Sequence, residues 1–302
     1  MATRFNLASA SFVTGAPVEP AAAWAGMAMD DLAQQEIEHS AVLKLEQGEF
    51  LSVCLKMFRT KHVAWLPGTQ TAVLVGDNGE CCAIDAAGVE HDEYVTTSSR
   101  NPRNTGHIRA ATRIGDEVIA VGMQRQVYRR TASGRWVDMM QGIAQNKGEP
   151  VAGFECVLAL SENEIYAAGW RGELWLFDGQ AWQAIDSPTN RILTALCLGP
   201  TGDVVGCGQR GVLIRGRGHR WRVIDDAPIP DDLWAIAASG DKIFMSSLLR
   251  MYAWTGQGVE LLDLDALGAS TFGALIPGNG VIWSMGQKDF LAFDGQQWRR
   301  LA

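Results

Sequence analysis

The 302-residue chain has little of what most reaction chemistry requires. Its five histidines (His39, His62, His91, His107 and His219) are scattered and form no metal-binding spacing. Its six cysteines (Cys54, Cys81, Cys82, Cys156, Cys197 and Cys207) contain no C-x-x-C pair. No G-x-S-x-G, H-E-x-x-H, phosphate-binding loop or dinucleotide fingerprint occurs, so no catalytic residue, metal or cofactor is assigned. Charged residues make up only 20% of the chain and apolar ones 47%, a balance that excludes a disordered polymer. So few cysteines exclude a disulfide scaffold, and 33 glycines are too few for collagen. Every apolar run breaks well short of the roughly 20 residues needed to span a bilayer as a helix, so no membrane partner is expected. The Ala-rich start, Met1 to Met27, is interrupted by Asn6, Ser9, Ser11, Thr14, Pro17, Glu19 and Pro20. It is therefore not read as a secretion signal, and a cytoplasmic protein is expected. A net charge of −8 argues against bulk nucleic-acid binding and suits a soluble protein or one that meets a basic partner.

What the chain does have is a repeat. An apolar run that closes on Gly or Ser recurs as Ala72–Gly76, Val118–Gly122, Ile165–Gly169, Val204–Gly208, Ile243–Ser247 and Val281–Gly286. The closing positions 76, 122, 169, 208, 247 and 286 are spaced by 46, 47, 39, 39 and 39 residues. Each run is preceded by another strand-like stretch, such as Cys156–Leu160 or Leu193–Cys197. It is followed by a tight turn and a third, such as Glu173–Phe177 or Val212–Arg215. A second turn then leads into a Trp-headed fourth, as in Asp178-Gly179-Gln180-Ala181-Trp182 and Asp294-Gly295-Gln296-Gln297-Trp298. Looser forms are Ser133-Gly134-Arg135-Trp136 and Gly218-His219-Arg220-Trp221. Asp-Gly supplies the positive φ of a two-residue hairpin turn, and the indole is large enough to cap the gap between neighbouring units.

Four short strands in about 40 residues, repeated, is the pattern of a β-propeller. Over residues 61–302 the chain resembles the broad WD40-like and kelch-like class of bacterial propellers. It lacks the Gly-His…Trp-Asp and Ser-x-Asp-x-Gly-x-Thr-Trp signatures, so the resemblance implies the architecture and no particular family. The expected fold is all-β: a single propeller of six to seven four-stranded blades, with seven favoured. Residues 1–60 are read as an irregular N-terminal segment, a degenerate first blade that shares strands with the C-terminus to close the ring. Strand-like stretches at Ala41–Leu45 and Phe50–Leu55 and a short helix within Asp30–His39 belong to it. Six blades with an N-terminal strap is the alternative.

The repeat also makes one constellation spatial. The turns after the anchors carry Met123-Gln124-Arg125, Trp170-Arg171, Gln209-Arg210, Leu248-Leu249-Arg250 and Gln287-Lys288. Equivalent turns lie on one face, so Arg125, Trp170, Arg171, Arg210, Arg250 and Lys288 are expected to form a partner-binding cationic rim. Exposed turns also carry charge simply to stay soluble. His91-Asp92-Glu93 reads as a solvated loop, and so does the acidic string Asp225, Asp226, Asp231 and Asp232. The basic run Arg215–Arg222 spans an outer turn too narrow to be a nucleic-acid site. Cys81 and Cys82, if in a strand, point to opposite faces and form no redox pair.

A fold does not by itself give a function. Without a catalytic signature, the expectation is a non-enzymatic platform, monomeric by itself, that grips another protein. The most specific form is an immunity-type protein that neutralises a bacterial toxin or effector domain. The alternatives are a propeller lyase or hydrolase with its site at the channel mouth, and an assembly scaffold.

Overall fold

Each apolar anchor run becomes the second strand of a four-stranded antiparallel sheet. The computed structural model describes residues 5–19, 22–97, 101–143, 152–225, 228–278 and 280–302. Seven such sheets follow one another along the chain, each ordered first to fourth strand. They are blades 1 to 7, spanning residues 10–56, 60–94, 108–138, 154–184, 193–223, 235–261 and 274–300. The first strand of every blade lies against the first strands of both neighbours, blades 1 and 7 included, so the sheets close into a ring around a channel. Closure leaves no blade at the open end of an array. No helix among the described residues is long and apolar enough to cross a membrane.

Because the strands alternate in direction, the two ends of the ring differ. Every first strand begins on one face; the turn between second and third strands and the connector to the next blade lie there too. The opposite face carries the remaining hairpins. The long connectors, including 224–234 and 262–273, make the first face the loop-bearing one.

The core is divided among the blade interfaces. Seven apolar clusters each join two adjacent blades. The fourth-strand tryptophans work as the sequence suggests. Trp182 is 2% exposed and donates its indole N–H to the Met139 carbonyl before it, at 2.8 Å. Trp136 packs between blades 2 and 3, and Trp298 stacks edge-on against Phe244 of blade 6. The Asp-Gly turns differ from expectation. Phe177 pairs with Trp182 and Phe293 with Trp298, so each loop has four residues rather than two. The Asp178 carboxylate closes its loop by accepting the Gln180 and Ala181 N–H groups, both at 2.9 Å. Cys81 and Cys82 are buried free thiols on a strand, one in the cluster with blade 3 and the other in the cluster with blade 1.

Two readings of the N-terminal region need correction. Blade 1 is complete, with four strands (Ala10–Glu19, Ala22–Met29, Ser40–Glu46 and Glu49–Lys56), register shifts in its pairings, and a one-turn helix, Asp30–Gln34, where other blades have a tight turn. Nor does the ring close by shared strands, since the sheets of blades 1 and 7 are each drawn from one end of the chain. The seam is packed instead. Phe12, Phe50 and Phe290 meet with ring centroids 5.3–5.7 Å apart, and the Phe12 N–H donates to the Gln287 carbonyl at 3.0 Å. His91-Asp92-Glu93 lies in the outer strand Glu90–Tyr94, not in a loop. There Glu93 holds Arg130 of blade 3 through two bonds of 2.8 and 2.6 Å, and Asp92 pairs with Lys56 of blade 1.

Candidate functional site

The anchor glycines that define the repeat also shape the mouth of the channel. A Cβ on Gly122 would sit 2.3 Å from the His107 carbonyl oxygen, on Gly169 2.2 Å from that of Gly153, and on Gly208 2.0 Å from that of Ile192. Only glycine lets the chain entering the first strands of these three blades cross so close. Opposite the anchor, that strand carries one residue too many. Gly76 pairs with Thr60 and Val75 with His62, which leaves Lys61 bulged. The same count leaves Arg109 bulged in blade 3, Glu155 in blade 4 and Thr194 in blade 5; Val13 is bulged in blade 1. A β-bulge re-aims its side chain, and these five residues all line the channel. Blade 6 has Ser247 at the anchor and no bulge, and Trp234, just before its first strand, takes the sixth place.

This ring is mixed in charge. Arg109 donates to both oxygens of Glu155 (3.1 and 2.9 Å from Nε), and Glu155 also accepts the Trp170 indole N–H. Arg59 pairs with the buried Asp77 at 3.3 Å. Lys61 has no hydrogen bond or ion pair among the described residues. The residue is exposed and lines the channel. Burial pulls its pKa below the ordinary value, opposed by Asp77 and reinforced by Arg109 and Arg59. His62, one residue further in, has its pKa pushed down to about 4 by burial, so it is neutral at pH 7 and a poor base. With Glu155 held in its ion pair, the described residues of the mouth include no assembled acid–base couple. No group of three His, Cys, Asp or Glu among the described residues could hold a metal.

The six turn residues lie on this same face, but the structure does not make them one cationic rim. Arg125 is 13% exposed, with both Nε and Nη2 on Glu173 of blade 4 at 2.6 Å. Arg250 pairs with Asp231 at 3.0 Å, and Lys288 bridges the ring seam to Asp30 at 2.6 Å and to the Ala10 carbonyl at 2.7 Å. Three of the five cations are therefore neutralised by carboxylates from other segments. Arg171 and Arg210 are exposed and carry no ion pair among the described residues. Both hold left-handed backbone, φ 59° and 52°, a conformation that costs a non-glycine residue about 1 kcal/mol and clusters at functional sites. Trp170, half-buried, links this rim to the channel through Glu155. Asp232 accepts the Arg210 backbone N–H at 2.7 Å, so Asp231 and Asp232 are engaged with the rim; Asp226 lies outside the described residues.

One feature of this face escaped the sequence reading. Trp234 (47% exposed), Leu248 (57%) and Leu249 (70%) all stand out of the core at the loop-bearing end of blade 6. Large apolar side chains gathered on a loop face mark interaction surfaces.

No protein-family model matches the chain. It is 32% identical over 300 residues to the immune protein Tsi7 of Pseudomonas aeruginosa, a match that covers 96% of this chain and 97% of that one. In structure it is similar to a catalytically inactive virginiamycin B lyase from Staphylococcus aureus with quinupristin (TM-score 0.71, 9% identity, 97% of both chains). It is also similar to the WD40 β-propeller domain of Doa1 (0.71, 11% identity, 94% of this chain and 92% of that one). YCF48 bound to D1 peptide matches at 0.67, with 12% identity over 97% of this chain and 93% of that one. At such identities these structures speak for the fold alone.

Proposed function

The chain belongs to the family of the immune protein Tsi7, and from that premise we propose that it binds a toxin or effector protein and blocks it without chemistry of its own. The observation that carries this reading is the match to an immune protein over 96% of the chain. The face that carries the channel mouth supports it. Trp234, Leu248 and Leu249 offer apolar anchors, and Arg171 and Arg210 offer cations that form no ion pair among the described residues. Aromatic and arginine side chains carry much of the energy of protein interfaces. Arg125, Arg250 and Lys288 serve the same face by fixing its turns, and Trp170 joins it to the channel. The protein works as a monomer in the cytoplasm, where it meets the effector before damage is done.

The experiment is co-production of the chain with each candidate effector domain of its own genome in a sensitive host. Rescue of growth by one domain's partner, with a stable one-to-one complex on gel filtration, is expected. Rescue that needs only trace amounts of the chain, with no complex formed, would point to an enzyme and overturn the reading.

A further inference from the structure

We infer that the bulge ring is a receptor for a carboxylate: the partner inserts an acidic side chain into the channel mouth, where Lys61 receives it. The inference rests on the protein-binding role proposed above and names the chemistry at its centre. Five bulges, four of them opposite glycines that admit no Cβ or stand against a tight neighbour, place a side chain from each of five successive blades on the wall of the channel. Of the charged groups around it, Arg109 and Glu155 pair with each other, and Arg59 is shared between Glu38 at 2.9 Å and Asp77 at 3.3 Å. Lys61 has no ion pair among the described residues, although Asp77, Arg109, Arg59 and Glu155 all act on it through space. With the surrounding charges balanced, an inserted carboxylate would complete the one ammonium that lacks an ion pair. Val13 (44% exposed) and Trp234 (47%) supply an apolar wall for the aliphatic stem of a glutamate. Arg171 and Arg210 on the rim lie on the approach and favour acidic residues around the inserted one. A basic partner, which the net charge of −8 alone suggests, would meet cations here. The partner's contacting loop is therefore acidic even if its overall charge is not.

Two measurements test this. In the first, the protein with its lysines carrying 13C-dimethyl groups is titrated with glutarate, a small carboxylate probe. The chain has six lysines, and the Lys61→Arg variant assigns the relevant signal. The Lys61 resonance is expected to shift saturably while that of exposed Lys242 does not. Equal, non-saturating drift of both signals would overturn the inference. In the second, the effector that the chain neutralises is bound to wild type, Lys61→Gln and Lys61→Arg. Loss of one charge-assisted contact predicts at least about tenfold weaker binding for Lys61→Gln and near wild-type affinity for Lys61→Arg. Unchanged affinity of Lys61→Gln would sink the carboxylate receptor and leave the immunity role standing. Saturable glutarate binding with no effector bound by wild type would sink both, leaving a channel for a small free acid.

Discussion

Replacing Gly208 by alanine should be far more costly than an alanine usually is. Its backbone is extended (φ −177°, ψ −152°), a conformation open to any residue, so the whole penalty is one of space. The added Cβ would meet the Ile192 carbonyl oxygen at 2.0 Å and the Leu193 Cα at 3.0 Å, main-chain atoms that no side-chain rotation can remove. Overpacking of this kind costs about 1–3 kcal/mol. Separating the strands also weakens the Gln209 N–H bond to the Ile192 carbonyl (2.9 Å) and the Leu233 N–H bond to the Gly208 carbonyl (3.1 Å). At about 1 kcal/mol for each bond, the total reaches about 3–5 kcal/mol. At roughly 2–4 °C per kcal/mol, the melting temperature should fall by about 6–20 °C. The control is Gly218→Ala, where φ is +59° and nothing lies within 4 Å of the new Cβ. There only the left-handed strain applies, about 1 kcal/mol. Urea unfolding of both variants, read at unchanged m-value, decides the matter. Equal losses, or a loss under about 1 kcal/mol for Gly208→Ala, would refute the steric account of the anchors and of the bulges they permit.

Other perturbations follow from the same geometry. Glu93→Gln leaves Arg130, 7% exposed, without its counter-charge and should cost about 3–5 kcal/mol; Glu93→Leu combined with Arg130→Met should recover most of it in a thermal melt. The His62 pKa of about 4 also predicts a pH slope. The unfolded chain takes up a proton near pH 6.5 that the folded chain refuses until about 4, so stability falls as pH drops through that window. The loss is at most about 3 kcal/mol, an upper bound because His62 borders channel water, and His62→Gln should flatten the slope in urea titrations between pH 7 and 4. Asp289 adds a separate loss at lower pH. Burial disfavours its ionised form, but the Thr271 hydroxyl, the Ser270 and Thr271 N–H groups and Arg300 outweigh that and hold its pKa down. Its contribution is present above the ordinary carboxylate range and disappears as pH falls through its folded value, so Asp289→Asn should reduce stability at pH 7 and narrow the difference from wild type near pH 2.

The architecture was legible because the features that build it are local and repeated. A glycine with no room for a Cβ cannot be replaced without cost, so the anchors at 76, 122, 169, 208 and 286 stand out in the sequence. The tryptophans after the second turn stand out for the same reason, as each fills the gap to the preceding blade. Blade 1 was harder to read, since the helix Asp30–Gln34 replaces its tight turn and breaks the spacing. The seam was misjudged because Phe12 and Phe290 meet from opposite ends of the chain. At the candidate site, the equivalence of the turns could be read and their electrostatics could not. The carboxylates that neutralise Arg125 and Lys288 come from 48 and 258 residues away. The bulge ring was missed because Lys61, Arg109 and Glu155 look like polar strand boundaries. Counting the residues opposite each anchor glycine would have brought them together.

The most direct test of the central claim is hydrogen exchange of the chain alone and in complex with the effector that it neutralises. The account predicts protection on the loop-bearing face: at Lys61 and His62, at the turns holding Arg171 and Arg210, and from Trp234 through Arg250 at the end of blade 6. Protection confined to the opposite hairpins, such as 178–181 and 294–297, or to the outer strands would contradict it.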